Sequence, residues 1–267
     1  MFGAIIGDIV GSRFEFCNNK KEKEFELFNE ESTYTDDTIM SLAICKALME
    51  CDGNYGELSN RTINNMKYFG EIYPLAGYGG MFELWLGNPE AKPYNSFGNG
   101  AAMRISGVAY EATTIDEVKR LSKLVTEVTH NHPEGIKGAE AIAVAIFLAR
   151  IGKDKIQIKE YIEKNYYNLN FTIDEIRDDY SFDETCQGTV PQALECFFES
   201  NSFEDAIRIA VSLGGDSDTI GAMVGSIAEA YYGIPSHIKE KTIHYLDNFL
   251  YEVIKEFENY YLNKLKR

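Results

Sequence analysis

The spacing of apolar residues along this chain is typical of α-helices. After the segment YTDDT, the residues Ile39, Ala43 and Ala47 recur four positions apart. In TTIDEVKRLSKLVTEV, Thr114 and Glu117 have the spacing of a capping box ahead of a further apolar stripe. Runs that alternate apolar and polar residues are short and rare, KEFELF being the clearest. The pattern therefore predicts an all-α protein.

The same periodicity predicts where the other helices lie. The segment 136–149 is apolar nearly all round, so its helix should be central. Further helices are predicted at 1–12, 59–70, 99–111, 154–166, 189–200, 202–213, 218–232 and 236–264, the last of them broken. Residues 17–34 are polar and predict a surface loop, while the glycine- and aromatic-rich segment 70–98 fits either functional loops or ordinary helix connections. Because no linker or repeat divides the chain, we expect a single domain over residues 1–267.

Composition narrows the classes of partner. The 26 basic and 42 acidic residues give a net charge of −16, which argues against non-specific nucleic-acid binding and against a basic membrane anchor. The negative charge does not exclude an anionic small molecule as the ligand. No run of 18 apolar residues occurs, so no membrane span is expected. Five cysteines without a C-x-x-C pair suit a reducing cytoplasm, where we expect the protein to reside.

Two acidic clusters carry the strongest chemical signal. YTDDTIMSLA contains Asp36 and Asp37, LGGDSDTIGAMVG contains Asp216 and Asp218, and each cluster directly precedes a helix. Helix capping explains one such side chain at each site, but two aspartates and a threonine crowd each helix start. Adjacent like charges are costly unless a positive charge neutralises them.

The chemistry of these clusters suggests a cation. Four carboxylates with threonine hydroxyls form an all-oxygen set, which suits Mg²⁺, Mn²⁺ or Ca²⁺. The set is too acidic for one Mg²⁺ but fits two metals about 3.5–4 Å apart, and neither cluster has EF-hand or zinc-site spacing. Gly221 and Gly225 should let another helix approach closely, and the helix after Asp37 is the candidate.

Other segments carry weaker signals. SFGNGAAMR places Gly98 and Gly100 at a helix start, where free N–H groups can bind phosphate, although an ordinary junction fits as well. Arg104 could reach a phosphate or form a structural ion pair. Glu15 and Asp8, taken alone, are more typical of a solvated side chain and a structural hydrogen-bond partner. The two histidines of THNHPEG, His130 and His132, could bind a metal, act as a general base or border a pocket.

Taken together, these segments resemble a known family. GAIIGDIVGSRFEF, YTDDTIMSLA, GNGAAMR, THNHPEGIKGAEA and GGDSDTIGAMVGSIAEAYYG occur in this order between residue 3 and about 235. They are similar to the ADP-ribosylglycohydrolases, which include the dinitrogenase-reductase-activating glycohydrolase and the ADP-ribosyl-acceptor hydrolases. The resemblance implies an all-α, orthogonal multi-helix bundle with a dinuclear Mg²⁺ or Mn²⁺ centre.

The resemblance also implies roles for individual residues. Glu15 would be catalytic, and His130 would lie in the substrate cleft while His132 orients the turn. Phe97, Tyr78 or Phe82 could stack on adenine. The implied metal ligands are Thr35, Asp36, Asp37, Asp216, Asp218 and Thr219, and the implied substrate-binding residues are Phe97, Gly98, Asn99, Gly100 and His130.

The resulting hypothesis is a metal-dependent hydrolase that cleaves ADP-ribose from a modified protein side chain or small conjugate. We expect two Mg²⁺ ions, with Mn²⁺ as the alternative, and a monomer that does not bind membranes or nucleic acid, except an ADP-ribosylated nucleic-acid end. Two alternatives stay open. One is an inactive protein that only binds ADP-ribose, and the other is a different dinuclear-metal hydrolase acting on nucleotides.

Overall fold

The computed structural model describes residues 1–17, 19–90 and 92–266, and the regular structure within these ranges is helical, with no strand. The predicted all-α class is therefore confirmed. The helices are α1 (Phe2–Gly11), α2 (Asp36–Cys51), α3 (Leu58–Ile72), α4 (Gly80–Gly87), α5 (Gly100–Met103), α6 (Ser106–Glu111), α7 (Ile115–Thr126), α8 (Pro133–Arg150), α9 (Lys155–Asn165), α10 (Ile173–Ile176), α11 (Cys186–Glu199), α12 (Phe203–Leu213), α13 (Ser217–Tyr232), α14 (Ser236–Ile243) and α15 (Asn248–Lys264).

Helix α8 lies at the centre of the bundle, as its uniform apolarity predicted. It packs against α5, α6, α7, α11 and α13, and the stretch from residue 141 to 149 is buried throughout. His132 forms its N-cap, with Nδ1 accepting a hydrogen bond from the Glu134 amide at 3.1 Å. Pro133 follows in the first turn, where a missing N–H costs nothing. The expected turn-orienting position of His132 is thus confirmed by geometry.

A seam of glycines joins α1 to α13. A Cβ added at Gly3 would lie 2.1 Å from the Gly225 carbonyl oxygen, and one at Gly7 would lie 1.9 Å from the Gly221 carbonyl oxygen. At Gly11 the added Cβ would meet the Ser217 carbonyl at 2.4 Å. The two backbones can come this close only because these side chains are absent. The helix that approaches Gly221 and Gly225 is therefore α1, and the expectation that it would be α2 is wrong.

Several helix boundaries differ from those predicted by periodicity. The segment 99–111 forms two helices, α5 and α6, separated at Arg104 and Ile105. Helix α4 lies within 70–98, and α11 begins at Cys186 behind an N-cap at Thr185. The predicted break in 236–264 is confirmed by the separate helices α14 and α15. None of the described helices combines the length and the apolarity needed to cross a bilayer.

Candidate functional site

The ends of α1, α2 and α13 bring acidic residues together at one place. One carboxylate oxygen from each of Asp8, Asp37 and Asp218 lies within 4.8 Å of the others, and the same holds for Glu15, Asp216 and Asp218. Asp218 belongs to both groups, which we call the two carboxylate triads. The glycine seam creates this meeting, because it brings the last turn of α1 against the first turn of α13. Two clusters far apart in sequence thus form one site.

Asp8 orients the start of α2 in addition to joining a triad. Its carboxylate accepts hydrogen bonds from the Thr35 amide at 2.9 Å, the Thr35 hydroxyl at 2.8 Å and the Thr38 amide at 3.0 Å. Thr35 itself caps α2 by accepting from the Asp37 amide. Asp8 is therefore the structural hydrogen-bond partner that the sequence suggested, and it is also part of the acidic site. The sequence signal for its place in the acidic site was that Asp8 is the single acid in the otherwise apolar helix FGAIIGDIVG.

Hydroxyl and amide groups hold the remaining carboxylates. Thr219 Oγ1 donates to Asp37 Oδ2 at 3.1 Å, and Asn99 Nδ2 donates to Asp216 Oδ2 at 2.6 Å. The other oxygen of Asp37, Oδ1, is buried and has no hydrogen-bond partner within the described chain. A buried carboxylate oxygen without a donor is costly, so this atom points to a ligand that the site is built to hold.

The acidic site lacks a neutralising side chain. None of its carboxylates takes part in a salt bridge within the described residues. Burial, followed by repulsion from Asp216 and Asp8, raises the pKa of Glu15 to about 7. Burial raises the pKa of Asp8 to about 6 despite its three hydrogen bonds.

Burial is also the main cause for the other aspartates, and repulsion from neighbouring carboxylates adds to it. The pKa is raised well above its usual range at Asp36, Asp37 and Asp218, and it is raised at Asp216. Unscreened negative charges of this kind favour the binding of a cation.

Asp36 occupies a different position from the triads. Its amide donates to the Ala76 carbonyl at 3.0 Å, and its side chain is part of the cavity wall. Arg104 is the one cation that offsets its raised pKa. Asp36 therefore faces the cavity next to the triads rather than within either one.

A cavity of about 320 Å³ opens above the carboxylates. Its walls come from the acidic site, the loop before α4, the glycine loop at 98–100, and the segment before α11. The lining residues include Glu15, Thr35, Asp36, Asp37, Gly77, Met81, Phe82, Tyr94, Gly98, Asn99, Gly100, Arg104, His130, Phe182, Glu184, Asp216, Asp218 and Thr219. All the residues predicted from the sequence as site residues line this cavity except Phe97.

Phe97 and Tyr78 lie beside the cavity wall. The Phe97 ring is 42% exposed and packs on His132, with the ring centroids 5.1 Å apart. Phe82 does line the cavity, and Tyr78 packs behind it at 5.7 Å. Of the three aromatic residues considered for adenine, Phe82 is therefore the one with direct access to the cavity.

The glycine loop is held from two sides. The Asn99 amide donates to the Glu184 carbonyl at 2.7 Å, and the Gly98 amide donates to Ser96 Oγ at 3.1 Å. The Cys186 amide donates to the Phe97 carbonyl at 2.9 Å. Because two of its amides already donate within the protein, the loop offers fewer free N–H groups than its sequence suggests.

Several wall residues carried no recognisable sequence signal. Met81, Tyr94, Phe182 and Glu184 come from irregular segments or from a short helix, where no periodicity indicates which way a side chain points. Arg104 lay in a quoted motif, but its partners could not be read from it. They are Thr129 and His130 rather than an acid.

The fold and site together define the class of this protein: an all-helical protein with two carboxylate triads beneath a glycine loop. The family model for ADP-ribosylglycohydrolase matches residues 1–266. The chain therefore belongs to the ADP-ribosylglycohydrolase family, whose members are glycosidases acting on ADP-ribosyl conjugates. The resemblance, the fold type and the enzyme class predicted from the sequence are confirmed.

Individual relatives agree with this assignment. The chain is 26% identical to the ADP-ribosylhydrolase ARH3 of Homo sapiens, in an alignment covering 87% of this chain and 84% of that protein. It is 25% identical to the ADP-ribosylarginine hydrolase Tri1 of Pseudomonas putida strain GB-1, covering 88% of this chain and 70% of that one. A solved ADP-ribosylglycohydrolase-related protein complex shares the fold, with a TM-score of 0.72 at 21% identity, covering 98% of this chain and 93% of that chain.

Proposed function

We propose that this enzyme is a metal-dependent hydrolase that removes ADP-ribose from a modified protein side chain or a small conjugate, and so reverses ADP-ribosylation. The observation that carries the proposal is the meeting of the two carboxylate triads on the floor of a cavity that the glycine loop also borders. Cleavage occurs at the anomeric carbon of the ribose that bears the acceptor.

The residues of the acidic site fit a pair of hard cations. All donors are oxygen atoms, which Mg²⁺ and Mn²⁺ prefer. The two triads share Asp218, so this residue would belong to the ligand set of either ion. Asp37 Oδ1 has no hydrogen-bond donor among the described residues, and the pKa of Asp37 is raised. Both observations indicate a site that lacks positive charge. The proposed ligands are Thr35, Asp36, Asp37, Asp216, Asp218 and Thr219, with Asp8 orienting Thr35.

When bound, such cations supply Lewis-acid charge that polarises the ribose hydroxyls and activates water. The protein's own part is to hold the substrate and move a proton. Departure of the acceptor leaves positive charge on the ribose, and the oxygen of the attacking water then bonds to the anomeric carbon. The two-carboxylate scheme of ordinary glycosidases does not apply, because most acids here serve as ligands.

Glu15 is the proposed catalytic base. It lies in the turn after α1 at the edge of the second triad, and it is only half-buried, so water can reach it. Without bound cations the pKa of Glu15 is about 7, and neighbouring cations would lower it, so its carboxylate would be ionised and able to accept a proton near neutral pH. As the water oxygen bonds to the anomeric carbon and the bond from that carbon to the acceptor breaks, the proton taken up by a Glu15 carboxylate oxygen would pass to the departing acceptor.

The glycine loop is the proposed binding site of the diphosphate. The residues around it are Gly98, Asn99, Gly100 and His130. Asn99 links the loop to the acidic site through its hydrogen bond with Asp216. Binding of the diphosphate would therefore align the ribose over the triads. Phe82 is the aromatic wall available to adenine, and Phe97 can reach it only if its exposed ring turns from His132.

A panel of ADP-ribosylated substrates tests this function. Peptides modified on arginine or serine, an ADP-ribosylated nucleic-acid end and small conjugates are each incubated with Mg²⁺, Mn²⁺ or a chelator. We expect release of free ADP-ribose from at least one class, and loss of release with chelator. Asp218→Asn and Asp36→Asn should abolish it, while Asp116→Asn, an exposed aspartate on α7, serves as the matched control.

Each alternative gives a different result in the same experiment. Release of phosphate from plain nucleotides would replace the proposal by a nucleotide hydrolase. Calorimetric binding of ADP-ribose without turnover of any conjugate would identify a binding protein. Full turnover by Asp218→Asn at ordinary Mg²⁺ would remove the metal argument.

A further inference from the structure

Arg104 is a buried cation that forms no salt bridge among the described residues, although the charge of Asp36 acts on it from beyond salt-bridge distance. It lies in the break between α5 and α6, its side chain is 1% exposed, and its guanidinium is 5.1 Å from the Phe82 ring centroid. Its Nη2 donates to Thr129 Oγ1 at 2.6 Å and contacts His130 Nδ1 at 3.2 Å. Burying an unpaired charge is expensive, so these two contacts require an explanation.

The contact with Arg104 determines which imidazole nitrogen of His130 carries hydrogen. A guanidinium has five donors and no acceptor, so a nitrogen facing it has to be an acceptor. Nδ1 of His130 therefore bears no hydrogen, and the neutral ring carries its hydrogen on Nε2. Two N–H groups would point at each other in the opposite tautomer.

Thr129 supports the same assignment. Its hydroxyl oxygen accepts from Arg104 and lies 2.7 Å from His130 Nδ1, whereas the alternative acceptor for its hydrogen, the Thr126 carbonyl, is 3.5 Å away. The shorter contact makes the hydroxyl donate to Nδ1. Arg104 thus acts on the ring directly and through Thr129.

The surroundings also keep the ring uncharged. Burial, with the positive charge of Arg104 in addition, lowers the pKa of His130 well below its usual range. The titratable ring packed against it is Tyr94, at 5.8 Å between centroids, which is neutral near pH 7, and burial raises its pKa further. Among the residues that the structure describes, no acid acts on the imidazole to favour its protonation.

The Nε2 atom faces the glycine loop. A Cβ added to Gly98 or to Gly100 would lie 3.5 Å from it, so the two glycines leave this atom open to the cavity. The Gly98 and Asn99 amides already donate within the protein. An N–H on Nε2 is therefore a fixed donor at the point where the loop itself has few to offer.

We propose that Arg104 is a positioning residue that holds His130 in its neutral Nε2–H form, so that the ring donates this hydrogen to a diphosphate oxygen of ADP-ribose in the glycine loop. The inference rests on the proposed function for the identity of the ligand. The tautomer itself follows from the contacts within the protein.

The first test uses the unmodified enzyme. With ¹⁵N-labelled histidine, long-range ¹H–¹⁵N correlation spectra distinguish protonated from bare ring nitrogens, and comparison with His130→Phe assigns one of the four histidines. We expect an Nε2–H ring that shows no titration near the ordinary pKa of about 6.5. An Nδ1–H tautomer, or a ring that titrates near that value, would overturn the proposal without any variant of Arg104.

The second test is a double-mutant cycle on ADP-ribose affinity. Arg104→Met and His130→Phe should each weaken binding about 10–100-fold, the range for losing a hydrogen bond to a charged group. If Arg104 acts through His130, the double variant should be little worse than either single variant. Additive losses would contradict a positioning role. Arg177→Met, which removes another buried arginine, should leave both the His130 signals and the affinity unchanged.

The two proposals fail in different ways. An enzyme that binds and releases ADP-ribose but shows an Nδ1–H ring retains the proposed function and loses this inference. If the tautomer is as expected but the enzyme has no affinity for ADP-ribose, the proposed function is wrong. The diphosphate is then also wrong as the group that accepts the hydrogen of His130. In the Arg104→Met variant, a folded protein whose His130 ring now titrates would support the positioning role.

Discussion

Glu15, at the edge of the acidic site, is the proposed catalytic base. Burial and its acidic neighbours raise its pKa to about 7, while its half-exposed position keeps it in contact with water. We expect Glu15→Gln to retain ADP-ribose affinity and to lose about 10²–10⁴-fold in kcat, as is typical when a general base is removed. Single-turnover assays and calorimetry measure the two quantities separately.

The control is Glu24→Gln, an exposed glutamate in the loop that follows Glu15. It should match the unmodified enzyme in both assays. An unchanged kcat in Glu15→Gln would remove the catalytic role, and a parallel loss of ADP-ribose affinity would assign Glu15 to binding instead.

Gly100 is a position where a single methyl group tests the donor in the glycine loop. Its φ is not in the left-handed region, and an added Cβ would meet only the His130 ring, at 3.5 Å from Nε2. Because this is ordinary van der Waals contact, Gly100→Ala should fold with unchanged thermal stability. It should nevertheless weaken ADP-ribose binding by about 10-fold or more, since the methyl group covers a hydrogen-bond donor.

Isothermal calorimetry checks this loss, with Gly87→Ala as the matched control. Gly87 ends α4, and a Cβ there would meet nothing within 4 Å. Equal affinities in the two variants would mean that the diphosphate does not lie over Gly100.

Helices α1 and α13 set the geometry of the site through their glycine seam. Replacing Gly7 by Ala improves helix propensity by about 1 kcal/mol. The new Cβ, however, would lie 1.9 Å from the Gly221 carbonyl oxygen, and backbone cannot move aside as a flexible side chain can. Overpacking costs about 1–3 kcal/mol and sometimes more, so the clash outweighs the propensity gain.

We therefore expect Gly7→Ala to lower the free energy of unfolding and also to weaken Mg²⁺ binding, because separated helices move Asp8 away from Asp218. Chemical denaturation and metal titration measure the two effects. Gly56→Ala, where only the Asn54 side chain lies near at 3.6 Å, is the control. A stabilised Gly7→Ala protein with intact metal affinity would show that the seam does not position the site.

At the scale of the helices, the sequence predicted which segments are helical but not where each helix begins and ends. The apolar pattern of 99–111 continues through Arg104, so nothing in it indicates the break that turns this side chain toward Thr129 and His130. The start of α11 was also missed, because the helix was predicted from residue 189 whereas it begins at Cys186, behind its N-cap Thr185. The local apolar pattern indicates which side chains are buried. Where a helix breaks, however, depends on tertiary contacts that the pattern does not contain.

The candidate site was predictable in composition and less so in arrangement. The chemistry of the aspartates at the starts of α2 and α13 indicates a cation site, and the structure brings Asp37, Asp216 and Asp218 together. The identity of the helix that approaches α13 required matching Gly3 to Gly225 and Gly7 to Gly221, a long-range pairing that periodicity alone does not select. The metal, base and substrate roles of these residues stay predictions, as does the single domain over residues 1–267.

The whole molecule has a net charge of −16, and its buried acidic site adds a specific cost to this general repulsion. Asp8 has a pKa of about 6 in the folded protein against an ordinary 3.8, and Glu15 has about 7 against 4.5. In the metal-free enzyme, the folded state therefore binds protons that the unfolded chain has already released. Stability then falls as pH rises, and the fall spans the interval from about pH 4 to about pH 7.

Bound Mg²⁺ should remove this pH-dependent loss, because it supplies the charge that protons otherwise provide. We expect the increase in Tm caused by Mg²⁺ to grow from pH 5 toward pH 8, because Asp8 alone loses its proton in this interval, which corresponds to about 1.4 kcal/mol. For a chain of this size that is about 3–6 °C. Groups elsewhere titrate alike with and without the ion, so the difference between Mg²⁺ and chelator isolates the acidic site.

Thermal unfolding followed by circular dichroism measures Tm in matched buffers containing Mg²⁺ or chelator. Asp37→Asn is the informative variant, since it removes a carboxylate from the first triad and should flatten the pH dependence of the Mg²⁺ effect. Asp116→Asn, far from the triads in sequence and exposed on α7, should behave as the unmodified enzyme does. A Mg²⁺ effect that shrinks with rising pH would mean that the cation does not compete with protons at these carboxylates, and the ion would then have to bind elsewhere.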